Sequence, residues 1–265
     1  MLTLMLHRVM PQMITHDYYV RRGTAISQQK FIELLDAIAE REIPIVLSKN
    51  DQPERASVCL TFDDGYADNA WAFEQLLQRN LQAWLFPVKN YVIERFSVID
   101  DIASQMTVCP SSTEWLSEPR TRNILMRLQP ERYRWLRSCW LGIDIDRCSN
   151  SLFLTESEVR HYALQGIHLG IHGVTHRIWS SLSEYQLKKE IEQCHDWIQS
   201  LTGIAPLAAC FPHGKAPTEN IMQSVLADYQ CFGVDKNYLN SSIERRMWLM
   251  ESTDIRKKLD EYLEN

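Results

Sequence analysis

Residues 56–65, ASVCLTFDDG, decide the fold class of this chain. A largely apolar run ends in two carboxylates, Asp63 and Asp64, and then in Gly65, where the chain can turn sharply. A continuous apolar run is typical of a strand that is covered on both faces of a parallel sheet. Residues 67–78 have helical periodicity, so the segment predicts a strand that leads through a tight turn into a helix.

The same strand-then-helix order recurs along the chain without an internal repeat. Each unit joins a short apolar run to an amphipathic segment, and this order predicts an α/β fold with a parallel sheet closed, or nearly closed, into a barrel. We expect strands near residues 2–9, 56–65, 83–88, 167–172, 207–214 and 230–234, and helices near residues 27–43, 67–78, 155–166, 180–203, 218–229 and 253–263.

Local signals mark the ends of two of these helices. Ser27 is a predicted N-cap for the helix that follows it. Thr155 and Glu158 have the spacing of a capping box, and Gly166 is a predicted helix stop. These positions set the helix bounds more closely than periodicity does.

The composition is that of a globular protein, with 45% hydrophobic and 23% charged residues. A net charge of -6 argues against sequence-independent binding to nucleic acid. No apolar run reaches the roughly 18 residues of a membrane-spanning helix. The seven cysteines form no C-x-x-C pair, and the first residues lack the apolar core of a signal peptide. We therefore expect reduced thiols and a cytoplasmic location.

Residues 97–151 interrupt the strand-and-helix order. They begin irregularly and become helical and rich in arginine, so we interpret them as a helical insertion within one domain that spans residues 1–265. The insertion is either a solvated cover or a lid that meets an anionic substrate or a partner. The arginines that would suit phosphate oxygens are Arg120, Arg122, Arg127, Arg132, Arg134, Arg137 and Arg147.

Asp63 and Asp64 are the first candidates for chemistry, because adjacent carboxylates at the end of a buried strand repel each other unless a cation is present. The carboxyl ends of barrel strands form the active face of this architecture. A divalent metal on one carboxylate would leave the other free to act as a base. Capping of the next helix is the alternative, and it accounts for one aspartate but not for two.

Three of the eight histidines fall within residues 166–176, GIHLGIHGVTH. If the chain makes a helical turn after the strand, His172 and His176 point the same way and can bind one metal ion. With Asp64 they would form a His/His/Asp site with positions left for water, as hydrolytic metal sites require. A structural zinc site would use four ligands and would recruit cysteine. We interpret His168 as a packing residue or, at most, as a support for the ligands.

Together these segments resemble the polysaccharide deacetylases of the NodB-homology type, carbohydrate esterase family 4. The first motif of that family, T-F-D-D-G, is matched by residues 61–65. The second, His-(Ser/Thr)-x-x-His, is matched at both histidines, with Gly173 where a hydroxyl residue is usual. The Pro-Tyr-Gly core of the third appears as Pro212, His213 and Gly214. By this resemblance the third motif faces the substrate, and the backbone N–H of His213 stabilises the oxyanion.

The resemblance implies a distorted (β/α)7 barrel that hydrolyses an N-acyl amide on an amino sugar. It implies that Asp64, His172 and His176 hold a divalent metal and that Asp63 is the general base. Zinc is the expected metal, and cobalt, nickel or iron would suit the same ligands. Zinc would lower the pKa of a water molecule toward about 7, and the base would take its proton.

The chain departs from the family pattern at two catalytic positions. The arginine of the third motif, which orients the base, is replaced by Cys210, and Arg245 or Arg246 could substitute for it. The usual general acid is a histidine in a late Leu-x-His motif, but no histidine follows His213. We expect the acid to be His213, His7 or a metal-held water.

The expected substrates follow from the resemblance and from the cytoplasmic prediction. They are an acylated amino sugar, a nucleotide sugar, a lipid-linked sugar or an oligosaccharide in surface-polysaccharide biosynthesis. A hydrolase of a non-sugar amide is one alternative. A non-catalytic carbohydrate-binding or assembly protein is the other, favoured by the missing acid and the large insertion. The retained metal ligands and base favour an enzyme.

Overall fold

The computed structural model describes residues 1–14, 17–51, 54–98, 100, 124, 132–133, 135–136, 152–234 and 243–264. Its strands are β1 (Leu2–Leu6), β2 (Arg8–Met10), β3 (Ala25–Ser27), β4 (Val58–Asp64), β5 (Ala83–Pro87), β6 (Ile167–Leu169), β7 (Ala208–Cys210), β8 (Gln230–Gly233) and β9 (Ile243–Trp248). Its helices are α1 (Tyr18–Arg22), α2 (Gln28–Glu40), α3 (Asn69–Leu77), α4 (Lys89–Glu94), α5 (Glu156–Gln165), α6 (Glu184–Thr202), α7 (Glu219–Val225) and α8 (Ile255–Leu263), with short 3-10 turns at Trp179–Ser181 and Pro212–Gly214.

Seven parallel strands form the main sheet, in the order β6-β5-β4-β1-β9-β8-β7. The two edge strands approach each other through a parallel bridge between Ile171 and Ala209. There the N–H of Ile171 donates to the carbonyl of Ala208 over 2.8 Å, and the N–H of Cys210 donates to the carbonyl of Ile171 over 2.8 Å. The sheet is therefore nearly closed, and the predicted distorted (β/α)7 barrel is confirmed.

Two apolar layers stabilise this barrel. The larger layer packs the outward-facing strand residues, such as Leu60 and Phe62, against the helices. The smaller layer fills the inside of the barrel, where rings from strands that are not neighbours meet: Phe86 and Phe232 have centroids 5.4 Å apart. Every second side chain of a strand faces the inside of the barrel. The inward-facing residue nearest the carboxyl end of a strand, such as Asp63 in β4, therefore lies at the mouth of the barrel.

The predicted strand at residues 2–9 is divided in the structure. β1 ends at Leu6, and the chain then leaves the main sheet, so that β2 pairs with β3 in a separate two-stranded sheet. The predicted strand at residues 167–172 is also shorter, since β6 ends at Leu169 and only the bridge at Ile171 continues it. Both interruptions lie where the chain must turn a histidine, His7 or His172, toward the mouth of the barrel.

The predicted helix caps are confirmed. The Ser27 side chain accepts a hydrogen bond from the backbone of α2. Thr155 and Glu158 form both bonds of a capping box, and Gly166 ends α5 in the left-handed conformation. None of the described helices is both long and apolar enough to span a membrane. The predicted insertion at about 97–151 lies almost wholly outside the described residues.

Candidate active site

The end of β4 brings two adjacent carboxylates to the same pocket. Asp64 has a φ of 71° and Gly65 a φ of 85°, so the chain turns within the strand end and the alternation of side chains is broken there. Both carboxylates line the mouth of the barrel, with exposed fractions of 3% for Asp63 and 6% for Asp64. A positive φ is costly for a non-glycine residue, and such strain is concentrated at functional sites.

His172 and His176 converge on Asp64 from the loop after β6. The Nε2 atoms of His172 and His176 lie 3.5 Å and 3.2 Å from the Oδ1 of Asp64. The loop is not helical, in contrast to the helical turn considered from the sequence; a φ of 58° at His176 directs its ring instead. The Nδ1 of His172 lies 2.9 Å from the carbonyl oxygen of Cys210 and donates to it, since a carbonyl can only accept, and Nε2 is the ring nitrogen directed at Asp64.

Glu190 on α6 fixes the loop after β6 that carries His172 and His176, which we call the histidine loop. One carboxylate oxygen accepts from the N–H groups of Val174 and Thr175 at 2.6 and 3.0 Å, and the other accepts from the Thr175 hydroxyl at 2.5 Å. Gly173 has a φ of 88°, and a Cβ there would lie 3.0 Å from the Glu190 carboxylate. The loop therefore depends on a glycine at position 173 and on a buried acid.

The three converging residues fit a divalent cation. One donor atom from each of Asp64, His172 and His176 lies within 4.8 Å of the others. The Oδ1 of Asp64 is buried and makes no hydrogen bond within the described part of the chain, so the site has an acceptor that lacks a donor. Burial opposes charge on Asp64, but the imidazoles of His176 and His172 outweigh it and lower the pKa of the carboxyl. Burial also lowers the pKa of His176, which keeps its ring neutral as a ligand requires.

A second grouping of Asp63, His172 and Cys210 is less suited to a cation, although its donor atoms are equally close. Burial raises the pKa of the Cys210 thiol, which keeps it protonated, and a metal ligand must be a thiolate. The Nδ1 of His172 already forms a hydrogen bond with the Cys210 carbonyl. Both carboxylate oxygens of Asp63 accept hydrogen bonds from Arg246.

Arg246 on β9 holds Asp63 through two parallel hydrogen bonds. Its two terminal nitrogens donate to the two carboxylate oxygens at 2.7 and 2.8 Å, and one of them also donates to the Thr61 hydroxyl at 3.2 Å. Burial opposes ionisation of Asp63, yet Arg246 outweighs it, so the pKa of Asp63 is lowered. The Sγ of Cys210 lies 3.7 and 3.8 Å from the same carboxylate oxygens. Arg245, the other candidate, is exposed and does not line the pocket, because it lies on the opposite face of β9.

The remaining predicted site residues surround this centre. His213 lies in the turn after β7 with a φ of 58°, and its ring centroid is 4.6 Å from that of His176. Gly214 lines the pocket, whereas Pro212 is buried behind it in the same turn. His7 also lines the pocket, with its ring 5.6 Å from the ring of Trp248.

Burial lowers the pKa of both candidate acids. Burial lowers the pKa of His213 to about 4, although the negative charge of Asp64 acts in the other direction. Burial also lowers the pKa of His7, against the opposing effect of Asp63 and Asp64. The Nδ1 of His7 is buried without a hydrogen bond to any described residue.

His168 does not line the site, and of the seven insertion arginines only Arg132 lies among the described residues. His168 packs edge-on against Trp84, with centroids 5.6 Å apart, and burial lowers its pKa. This is the packing position expected from the sequence. Arg132 is exposed, and the other six arginines of that hypothesis lie outside the described residues.

Several wall residues of the pocket were not found from the sequence. They are aromatic or cationic and come from segments far apart in the chain: Tyr18, Tyr19, Arg22, Tyr66 and Trp248. Asp100 supports two of them, since its Oδ1 accepts hydrogen bonds from the hydroxyls of Tyr19 and Tyr66. No motif spacing links these positions, although the aromatic pair at 18–19 precedes two arginines in a polar segment.

Comparisons with solved structures agree with the fold. The Streptococcus pyogenes deacetylase PplD in complex with acetate is 14% identical, with a TM-score of 0.66 over 98% of this chain and 96% of that one. A de-N-acetylase from Aggregatibacter actinomycetemcomitans is 14% identical, with a TM-score of 0.63 over 99% of each chain. IcaB from Ammonifex degensii is 15% identical, with a TM-score of 0.62 over 100% of this chain and 97% of that one.

A search among curated proteins finds no significant match. The model of the polysaccharide deacetylase family matches residues 50–232, which include both carboxylates, His172, His176 and the turn after β7. Most of the chain is thus matched by the family, in agreement with the barrel and the arrangement of its mouth. The chain belongs to the polysaccharide deacetylase family.

Proposed function

We propose that this chain is a metal-dependent hydrolase that removes the N-acetyl group from an amino sugar in a glycan or glycan precursor. The observation that supports this most strongly is that the two adjacent carboxylates have different partners. Asp63 is held by an arginine, and Asp64 faces two imidazoles. One carboxylate is thus available as a base and the other as a ligand, as hydrolysis of an amide requires.

The metal would be held by Asp64, His172 and His176. A divalent cation bound there supplies a Lewis acid that polarises the acyl carbonyl and lowers the pKa of water. Zinc is our first choice for two neutral imidazoles and a carboxylate, with cobalt, nickel and iron as chemical alternatives.

Asp63 acts as the general base in this proposal. Arg246 keeps the carboxylate ionised and fixes its plane, while each oxygen retains a lone pair that can accept the proton of the attacking water. The oxygen of that water bonds to the acyl carbon, and the bond between that carbon and the sugar nitrogen breaks. The products are acetate and the free amine.

We assign the proton donor for the leaving amine to His7. Its Nδ1 has no described hydrogen-bond partner, and although burial lowers its pKa, the negative charges of both Asp63 and Asp64 act in the opposite direction. His213 is the second choice, because a pKa lowered to about 4 disfavours the protonated ring that an acid must present. The backbone N–H of His213 is better suited to the developing oxyanion.

The sugar, the pathway and the compartment belong to this proposal as well. A nucleotide sugar, a lipid-linked sugar or an oligosaccharide intermediate would each present an N-acetyl group to the pocket. Four cysteines, Cys59, Cys194, Cys210 and Cys231, are free and buried, which supports the reducing compartment expected from the sequence. The cytoplasmic location stays a prediction.

Acetate release tests the proposed activity. The wild type, loaded with zinc or cobalt, is incubated with neutral N-acetyl sugars (chitin and poly-N-acetylglucosamine oligosaccharides) and with acidic ones (a hyaluronan oligosaccharide and UDP-N-acetylglucosamine), and free acetate is measured. Asp63→Asn is the matched control, since it retains the shape of the base and leaves the three ligands in place. We expect acetate from the wild type and a loss of at least about 100-fold in the variant, because general base catalysis contributes that much.

Two results would contradict the proposal. One is the absence of acetate from every N-acetyl sugar with either metal, together with retained glycan binding, which would favour the non-catalytic alternative. The other is turnover by Asp63→Asn at the wild-type rate, which would remove Asp63 from the reaction.

A further inference from the structure

Arg22 is a cation on the pocket wall that the proposed chemistry does not use. It is the last residue of α1, and Gly23 ends that helix with a φ of 69°, so the side chain is directed from the helix end into the pocket. The residue is half-buried, whereas its neighbour Arg21 is exposed and does not line the pocket. The two arginines therefore differ in position although they are adjacent in the chain.

The guanidinium of Arg22 has no carboxylate partner among the described residues. It donates to the Tyr18 hydroxyl at 2.6 Å, and its carbon lies 5.4 Å from the centroid of the Tyr18 ring. Two nearby arginines are paired with carboxylates instead: Arg8 lies 2.7 Å from Asp68, and Arg246 lies 2.7 Å from Asp63. Arg22 is therefore oriented by a neutral aromatic residue, and most of its donors remain available.

Arg22 lines the same pocket as Asp63, Asp64 and His213, so a ligand at the reaction centre lies within reach of its charge. An uncompensated cation at the edge of a pocket lowers the free energy of an anion bound there, and the planar fork of arginine matches two oxygens of a carboxylate or phosphate. The rings of Tyr18 and Trp248 line the same pocket and offer apolar surfaces for the faces of a sugar.

We propose that Arg22 binds an anionic group, a carboxylate or a phosphate, carried by the acylated sugar or by its neighbour. The substrate of the site would then be an acidic glycan or a sugar phosphate rather than a neutral chitin-like chain. This inference rests on the proposed deacetylation for its biological meaning, but the binding step can be measured without turnover.

The test compares the binding of three ligands by calorimetry. A chitin tetrasaccharide is neutral, a hyaluronan tetrasaccharide adds uronic carboxylates to N-acetylglucosamine, and UDP-N-acetylglucosamine adds a diphosphate. Arg22→Gln is compared with Arg21→Gln, which removes the same charge from the adjacent exposed position. We expect the wild type and Arg21→Gln to prefer one acidic ligand over the neutral one, and Arg22→Gln to lose about 10-fold or more of that preference, as charged hydrogen bonds are worth this much.

The results separate the possible sources of the anion. A lost preference for hyaluronan alone identifies a carboxylate, and a lost preference for the nucleotide sugar alone identifies a phosphate. Equal binding of all three ligands by the wild type, or an equal loss in both arginine variants, would overturn the role of Arg22. Acetate release is measured in parallel: acidic-ligand preference without any turnover would contradict the proposed function and leave the role of Arg22 standing.

Discussion

Relocation of the arginine that holds Asp63 offers a quantitative test of the site. Arg246→Met removes the guanidinium but retains an unbranched side chain in the barrel. The two partners have side-chain exposures of 1% and 4%, so the variant leaves the Asp63 carboxylate buried without its counter-charge. Removal of one partner of a buried pair costs about 3–5 kcal/mol, and we expect a loss of this size in the free energy of unfolding.

The second half of the test moves the arginine to β7. Cys210 occupies the position of the family's third-motif arginine, and its Sγ lies 3.7 and 3.8 Å from the Asp63 oxygens. A guanidinium built from residue 210 could therefore meet the same carboxylate once Arg246 is gone. We expect Cys210→Arg alone to be destabilising, since two guanidinium groups then compete for one carboxylate, and the double variant with Arg246→Met to recover part of both stability and activity.

Urea unfolding at neutral pH measures the stability of the four proteins of this cycle, and acetate release measures their activity. The coupling free energy between the two positions is the decisive quantity, and residues that share one partner couple by about 0.5–3 kcal/mol. The reasoning is refuted if Arg246→Met unfolds with a free energy within about 1 kcal/mol of the wild type. It is also refuted if the two substitutions are additive.

Two further predictions concern buried acids. Burial raises the pKa of Asp100 from 3.8 to about 6, so the folded protein retains a proton on this carboxyl that the unfolded chain loses above about pH 4. The stability of the native state with respect to Asp100 is therefore highest below pH 4 and is lost as the pH rises through about 6. The amide oxygen of Asp100→Asn can still accept hydrogen bonds from Tyr19 and Tyr66. We expect this variant to be more stable than the wild type at pH 7.5 by up to about 3 kcal/mol and equal to it near pH 4. Urea unfolding measures both values, and a difference that does not depend on pH would contradict the prediction. Glu190→Gln should weaken metal affinity by about 10–100-fold without removing a ligand, because the amide cannot accept all three hydrogen bonds that shape the histidine loop. Calorimetric titration with zinc measures the affinity, and Glu192→Gln on the exposed side of the same helix is the control.

The elements that the sequence predicts well depend on neighbouring residues. Thr155, Glu158 and Gly166 set the bounds of α5 because capping bonds join residues a few positions apart. The carboxylate pair at 63–64 is recognisable because its residues are adjacent in the chain, and helix capping accounts for one aspartate but not for two. Such local signals also gave the order of the strands and helices, from which the barrel follows.

The features that escaped prediction depend on distant residues. Either Arg245 or Arg246 could have replaced the missing arginine, and only the register of β9 against β1 determines which one faces the inside of the barrel. Glu190 lies 16 positions from Val174, and no periodicity links the two. The wall of Tyr18, Arg22 and Trp248 is assembled from both ends of the chain by barrel closure, which a linear pattern does not contain.

Metal content tests the central claim most directly. Wild-type protein, reconstituted with zinc and desalted, is compared by elemental analysis with Asp64→Ala, His176→Ala and Asp63→Asn. The account predicts about one equivalent of zinc in the wild type and in Asp63→Asn, and little in the two ligand variants. No bound metal in the wild type, or an equal content in all four proteins, would contradict the assignment of Asp64, His172 and His176 as a catalytic cation site.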